Sequence, residues 1–497
     1  MPGNILVLAI PNMHRKFLTN LGLMLFVNIL VKPFWILGID RTVQNVVGAV
    51  DYGFFYAVFN FSFLFNILLD FGITNFNNRN ISQNNHLLNK HFSRIVVLKF
   101  ILAVIYLIVT LGAGLTWGYD SRQMFMLLIL AFNQFLISFI LYLRSNISGL
   151  LHFKTDSLVS ILDRLLMIFI CGILLWGHIT STPFRIEWFV YSQTTAYVIT
   201  ALVAMLVVGK NASFNKLNWN RPFFYMIIKK SFPFAILGLL MTFYNRIDSV
   251  MIERLLPGKL GHIQTGIYAM AYRLLDASNM IAYLFAVLLL PIFARMIKLG
   301  ESVQSILRLS FTMLFTLSLS VATASFFYSY QLMDLLYRQH VADSALVFRL
   351  LMIDFVAIST TYVFGTLLTA NGNLKALNWL ATSGMVINIV LNLLLIPRYM
   401  ALGAAAASLI TQFGIAAFQI VIVYRTFNLK ANLRYITKLV SFTLGLIILS
   451  YLSRLIPIDW RVALGGLLLS AALLAFALRL LDLRSLFGQI GTQPPAN

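Results

Sequence analysis

Apolar runs of about 20 residues, each long enough to carry a helix across a bilayer, recur along the whole chain of 497 residues. Inside lipid a backbone has to satisfy its own N–H and C=O groups, which leaves few structures able to cross. The runs fall near residues 17–37, 51–73, 94–114, 122–143, 157–178, 188–208, 231–252, 266–290, 306–327, 345–368, 377–396, 402–424, 436–453 and 461–480. Their length selects helices, about fourteen of them. Composition agrees, with 60% hydrophobic and 11% charged residues, where soluble domains carry about 25% charge. Connections are short and no soluble domain interrupts the spans, so any chemistry takes place at or inside the membrane.

The order of spans suggests two bundles of six and an additional pair. The expected divisions are 1–225, an N-terminal bundle with a basic linker; 226–430, a C-terminal bundle; and 431–497, two extra helices with a tail. The opening segment MPGNILVLAIPNMHRKF places its charge after the apolar run, with Pro11 interrupting it. A signal peptide has the reverse order, so the first span is expected to act as an uncleaved anchor.

Lysine and arginine set the orientation, because cytoplasmic loops of membrane proteins carry the excess. With the N-terminus inside, 22 of the 37 basic residues fall on the cytoplasmic side and 9 on the other, leaving 6 within spans. An even number of spans returns the C-terminus to the cytoplasm. Most of the net charge of +21 is then topology and contact with lipid headgroups. Scattered over eight segments, these residues do not form a nucleic-acid footprint.

Charges inside the spans carry the functional signal, since each costs roughly 2.5–3.5 kcal/mol at mid-bilayer on insertion scales. Residues 243–291 hold four of them in two consecutive helices: Arg246 and Asp248, then Arg273 and Asp276. Asn245 and Asp248 share one helix face, Arg246 and Ser249 another, a polar side wide enough to line a water-filled cavity. A buried ion pair that only fixes packing is the competing reading. Arg273 and Asp276 stand three apart and can pair within their own helix, so cavity lining and internal neutralisation both remain open. Lys32, four residues after Asn28 and just before Pro33, either faces the cavity or reaches the outer headgroups. Asp163 and Arg164 point about 100° apart on one helix, so at least one needs a partner elsewhere. Asp354 enters its span without an obvious partner in the same helix. Asp70 and Arg349 fit an interfacial position as well as a buried one, and Lys99 reads as reaching toward the inner surface. The phenylalanines of the second span, Phe54, Phe55, Phe59, Phe61, Phe63, Phe65 and Phe71, read as lipid-facing by default.

A faint repeat links the halves. Asp51-Tyr-Gly-Phe-Phe-Tyr-Ala opens the second span and Gln264-Thr-Gly-Ile-Tyr-Ala-Met the eighth, so Gly53 and Gly266 correspond at an offset of 213. Two like-oriented halves with a site at their interface are typical of transporters. Nothing points to an enzyme: no Walker A motif, nucleophile elbow or HExxH occurs. The single cysteine excludes an internal disulfide framework, and the seven histidines show no metal-ligand spacing.

The block DYGFFYAVFNFSFLFNILLDFGITNFNNRNIS, residues 51–82, resembles the second-helix region of bacterial polysaccharide biosynthesis flippases. Residues 246–291 resemble the seventh and eighth helices of the same proteins. These are the O-antigen (Wzx-type) flippases of the MOP exporter superfamily, which also holds lipid II flippases and MATE drug exporters. The resemblance implies an all-α integral membrane fold of two six-helix bundles around a cationic cavity. It implies alternating access that moves an undecaprenyl-pyrophosphate-linked oligosaccharide across the bacterial inner membrane, with membrane lipids and polysaccharide assembly proteins as partners. Arginine suits a pyrophosphate because its planar fork makes bidentate contacts. Lys32, Arg164, Arg246 and Arg273 are therefore the expected substrate-binding cations. Asp248, Asp276 and Asp354 are expected to balance charge or couple transport to H⁺ or Na⁺, with no other cofactor. A MATE-like exporter of cationic drugs is the alternative, and would carry a net acidic cavity. A membrane polysaccharide polymerase is a third reading, opposed by the small outer loop near 328–344.

The orientation is checked by reporter fusions at residue 215 and at the C-terminus. Both should report a cytoplasmic location; a periplasmic signal at either reverses the topology.

Overall fold

The computed structural model describes residues 30–31, 33–74, 77, 81, 87–150, 152–177, 182–210, 219–430 and 432–481. Among these residues every regular element is helical. Each expected span from the second to the fourteenth coincides with a described helix or half-helix; the first, 17–37, lies mostly outside the described residues. The chain divides into two compact units, Met1–Ala269 and Met270–Asn497.

In the first unit a π-helical turn, Trp35–Asp40, runs into α1, Arg41–Leu64. Gly48, at φ 81°, takes a backbone conformation that other residues resist and kinks α1. A 3₁₀ turn, Asn66–Leu69, ends the path. Next come α2 (Leu87–Trp117), α3 (Ser121–Gly149), α4 (Phe153–Trp176), α5 (Ile186–Gly209) and α6 (Arg221–Leu255). The unit closes with the first part of α7, which runs Lys259–Leu299. Polar caps mark where chain leaves lipid for water. Asp120 accepts from the Gln123 backbone N–H at 2.7 Å while the Gln123 side chain accepts from the Asp120 N–H at 2.9 Å, so α3 starts with two orphan donors satisfied. Asn220 caps α6 in the same way, at 3.0 Å from the Phe223 N–H. α1 is the inner element of this unit and packs on α3, α5 and α6.

The second unit contains the rest of α7, then α8 (Gln304–Phe327), α9 (Ser329–Leu336) and α10 (Val341–Ala370). α11, Leu374–Thr426, holds two expected spans in one path. Pro397 removes a helical hydrogen bond and Met400 sits at φ 54°, which together separate the two spans. The extra pair, α12 (Leu433–Leu455) and α13 (Trp460–Ala477), packs on itself and on α8. Phe442 and Leu446 of α12 meet Ala471 and Ala475 of α13 in a small apolar cluster.

Lipid tails are as apolar as leucine, so helices in a bilayer associate through close packing and polar contacts. The tightest crossing is made by α1 and the start of α7. A Cβ on Gly53 would lie 1.8 Å from the His262 carbonyl oxygen, and one on Gly266 would lie 2.3 Å from the Ala49 carbonyl oxygen. Ala49 and Gly53 stand to His262 and Gly266 at one offset, 213 residues. The repeat therefore packs on itself, each glycine against the backbone four residues before the other. The buried Gln44 side chain adds a 3.0 Å hydrogen bond to the Gly266 carbonyl.

Alanine at either position cannot be absorbed without parting the helices, and overpacking of this kind costs about 1–3 kcal/mol or more. Gly53→Ala and Gly266→Ala should each lower the thermal midpoint of the detergent-purified protein. Gly414→Ala, where a Cβ meets nothing within 4 Å, should change it little. Equal midpoints for all three would remove the crossing as a stability determinant.

Candidate functional site

In the first unit two of the expected cations lie against aromatic rings. Arg246 of α6 is half-buried, its guanidinium 5.5 Å from the centre of the Phe63 ring on α1. Arg164 of α4, also half-buried, lies 5.6 Å from the centre of the Trp35 ring. Its Nη1 donates to the Tyr197 hydroxyl of α5 over 3.4 Å, and its Nε is 3.8 Å from the Asp163 carboxylate. Arg164 thus has a partner on another helix while still reaching the carboxylate of its neighbour Asp163.

The two arginines stand at the ends of one chain of rings. Trp35 stacks on Phe189 with centroids 5.7 Å apart, Phe189 meets the edge of Phe55 at 5.4 Å, and Phe55 stacks on Phe59 at 5.8 Å. Phe59 then meets Phe63 at 6.1 Å, which carries Arg246. The lipid-facing expectation is corrected here for Phe54, Phe55 and Phe61. Phe54, Phe55 and Phe61 are buried, and Phe59, Phe63, Phe65 and Phe71 are half-buried. α1 has partners on several sides, which leaves its rings to pack against protein.

Buried carboxylates repeat one device. Asp248, 1% exposed, accepts from the Tyr268 hydroxyl of α7 at 2.8 Å, while Ser249 beside it is also buried. Asp40, 2% exposed, accepts from the Tyr52 hydroxyl at 3.0 and 2.9 Å. Sequence reasoning missed Asp40 because it placed residues 38–50 in an outer turn, and the π-helical turn that carries it inward shows only in the structure. In the second unit Asp354 of α10 is fully buried and accepts from the Ser408 hydroxyl of α11 at 2.7 Å. Two further buried residues there, Asn388 and Asn392, bond each other at 3.0 Å. Arg273 and Asp276 are half-buried on the part of α7 that belongs to this unit. Lys32 lies outside the described residues.

One expectation changes. Lys99 does not reach for the surface: it is 1% exposed and its ammonium is shared by the Asp70 carboxylate, the Leu69 carbonyl at 3.0 Å and the Ser138 hydroxyl at 3.0 Å. Three acceptors match its three N–H donors. Asp70 is the anion of that pair. Arg349, half-buried, donates from Nε to the Ser329 hydroxyl at 2.7 Å beside the Phe326 ring. Among the described residues no group of three or more His, Cys, Asp or Glu gathers in a metal-binding arrangement.

The sequence profile of the polysaccharide biosynthesis protein family matches residues 17–297. No curated protein matches the chain. Among solved structures, the lipid II flippase MurJ in an inward closed conformation superposes with a TM-score of 0.68 at 13% identity, covering 93% of this chain and 99% of that one. An inward-facing multidrug resistance MATE family transporter of the MOP superfamily gives 0.61 at 14% identity over 80% of this chain and 94% of that one. A MOP superfamily transporter from Pyrococcus furiosus, described by a binding pocket of reverse polarity, gives 0.53 at 15% identity over 82% and 94%. At these identities the likeness establishes the fold alone, an all-helical membrane fold shared with those transporters.

Breaking the Lys99–Asp70 pair from one side strands a buried cation. Asp70→Asn should cost about 3–5 kcal/mol of stability, while the double change Asp70→Asn/Lys99→Met should recover most of it. Denaturation in detergent measures both; an Asp70→Asn protein as stable as the unchanged one would show the pair to be superficial.

Proposed function

The chain belongs to the polysaccharide biosynthesis protein family, and on that premise we propose that it is a flippase for an undecaprenyl-pyrophosphate-linked oligosaccharide in the bacterial inner membrane. It would carry this substrate from the cytoplasmic to the periplasmic leaflet by alternating access. The observation that carries the proposal is the pair of half-buried guanidinium groups in the first unit, Arg164 and Arg246, each set against an aromatic ring. A ring stabilises a cation through its face, the more so where water is excluded. A pyrophosphate brought into a low-dielectric cavity needs N–H donors, and arginine supplies them bidentately.

Arg273 and Lys32 complete the proposed set of cations. Asp248, Asp276 and Asp354 balance their charge, and Asp354, closed in with Ser408, is the proposed carboxylate for H⁺ or Na⁺ coupling. The lipid II flippase supports the reading as a protein of the same fold whose printed substrate is lipid-linked. MATE transporters share that fold; the arginines set against rings in the first unit support an anionic rather than a cationic substrate.

Arg246→Ala should abolish surface glycan in a strain lacking the chromosomal copy, with protein abundance in the membrane unchanged. Arg246→Lys should rescue it only in part, because an ammonium restores charge without the fork. Stable Arg246→Ala protein with full glycan export rejects the assignment. Loss of drug tolerance with intact glycan would favour the exporter reading.

A further inference from the structure

Two cavities in the second unit meet end to end, and their linings differ in kind. The first, of about 620 Å³, lies between α8, α10, the second half of α11 and α12. Its walls are mostly apolar, including Leu307, Phe311, Phe364 and Leu439. The second, of about 380 Å³, lies between the start of α8, the start of α12 and the end of α13. It is lined by Arg308, Arg434, Lys438 and Arg479. Arg425 adds a fifth cation at the mouth of the apolar groove. No carboxylate occurs among the described residues lining either cavity.

Arg308 and Tyr435 belong to both linings and are held in place. The Arg308 guanidinium sits 5.2 Å from the centre of the Tyr435 ring. The Tyr435 hydroxyl is 2.7 Å from the Thr312 hydroxyl of α8. Tyr435 and Leu439 also pack against the apolar cluster that joins α12 to α13. The junction between charged cup and apolar groove is therefore a built feature, shared by three helices. Cations that line one cavity without a carboxylate among them favour an anion there.

We propose that this pair of cavities binds one anionic phospholipid of the bilayer, with its phosphate in the cup and an acyl chain in the groove. Basic pockets between transmembrane helices on the cytoplasmic side are suited to anionic headgroups. The basic residues here fall on the face that the lysine and arginine asymmetry assigns to the cytoplasm. The volumes are in the range of small-ligand sites, about 300–1,000 Å³. The groove wall includes Val421 and Ile436, each 45% exposed, which opens it sideways to a lipid arriving within the leaflet. A free phosphate would use the cup and leave the groove empty. The site is separate from the arginines of the first unit and does not depend on what the protein transports.

The test uses the full-length chain purified in detergent, with native mass spectrometry for bound lipid and thermal unfolding for stabilisation. Phosphatidylglycerol should be retained and should raise the midpoint, whereas phosphatidylcholine should do neither. Arg434→Gln/Lys438→Gln should weaken phosphatidylglycerol binding roughly thirtyfold, at about 1 kcal/mol for each cation lost. Both positions sit at the cavity edge, and Arg434→Lys/Lys438→Arg, which keeps the charge, should bind as the unchanged protein does. Four results overturn the proposal: equal binding by the neutralised variant, equal stabilisation by phosphatidylcholine, equal stabilisation by inorganic phosphate, or displacement of phosphatidylglycerol by equimolar undecaprenyl phosphate. The last two would assign the cup to a free anion or to the carrier lipid.

Discussion

A charge within a bilayer has to be answered by other polar groups, and the interior of this protein is arranged around that requirement. Lys99 shows it most directly, with a carboxylate, a carbonyl and a hydroxyl gathered on one ammonium. Those acceptors come from a 3₁₀ turn and from α3, so satisfying one cation fixes how α1, α2 and α3 meet. The buried acids follow a parallel rule: Asp40, Asp248 and Asp354 each accept a tyrosine or serine hydroxyl. A hydroxyl steadies an ionised carboxylate and can also accept from a protonated one, which leaves a transporter free to change the charge of such a group.

Close backbone packing does the rest in the first unit. At the crossing of α1 and α7 two glycines related by the internal repeat each receive the other helix's carbonyl. A duplicated motif that packs on its own copy is stabilised twice by one sequence pattern, since whatever permits the first close approach permits the second. Gln44 then adds a directional bond across the same contact. The aromatic chain from Trp35 to Phe63 lies along the same helix. It holds arginines from α4 and α6 in a setting where ring faces, rather than water, surround the cation.

The fold itself does not choose a substrate. Proteins whose names specify lipid II transport and multidrug resistance share it at 13–14% identity, so the decision rests on local electrostatics. In this chain the two half-buried arginines of the first unit sit against aromatic rings. The cationic cup at the far end of the second unit is a different use of the same chemistry, applied to the surrounding lipid.

Hydropathy alone determined that the chain is helical and polytopic, where nearly every span lies, and which spans carry charge. Those properties depend on runs of adjacent residues, and adjacency is what a sequence displays. Even the repeat was legible, as the offset between Gly53 and Gly266. What each charge touches was not. Lys99 and Asp70 are 29 residues apart on different elements, and Asp354 and Ser408 are 54 apart. Helices apolar on every side carry no stripe to show which face turns inward, so Phe54, Phe55 and Phe61 of α1 looked lipid-facing when they are buried. Only tertiary structure sets the rotation of each helix about its own axis. That rotation decided which arginine meets a ring, which acid meets a hydroxyl, and that the two glycines of the repeat meet each other.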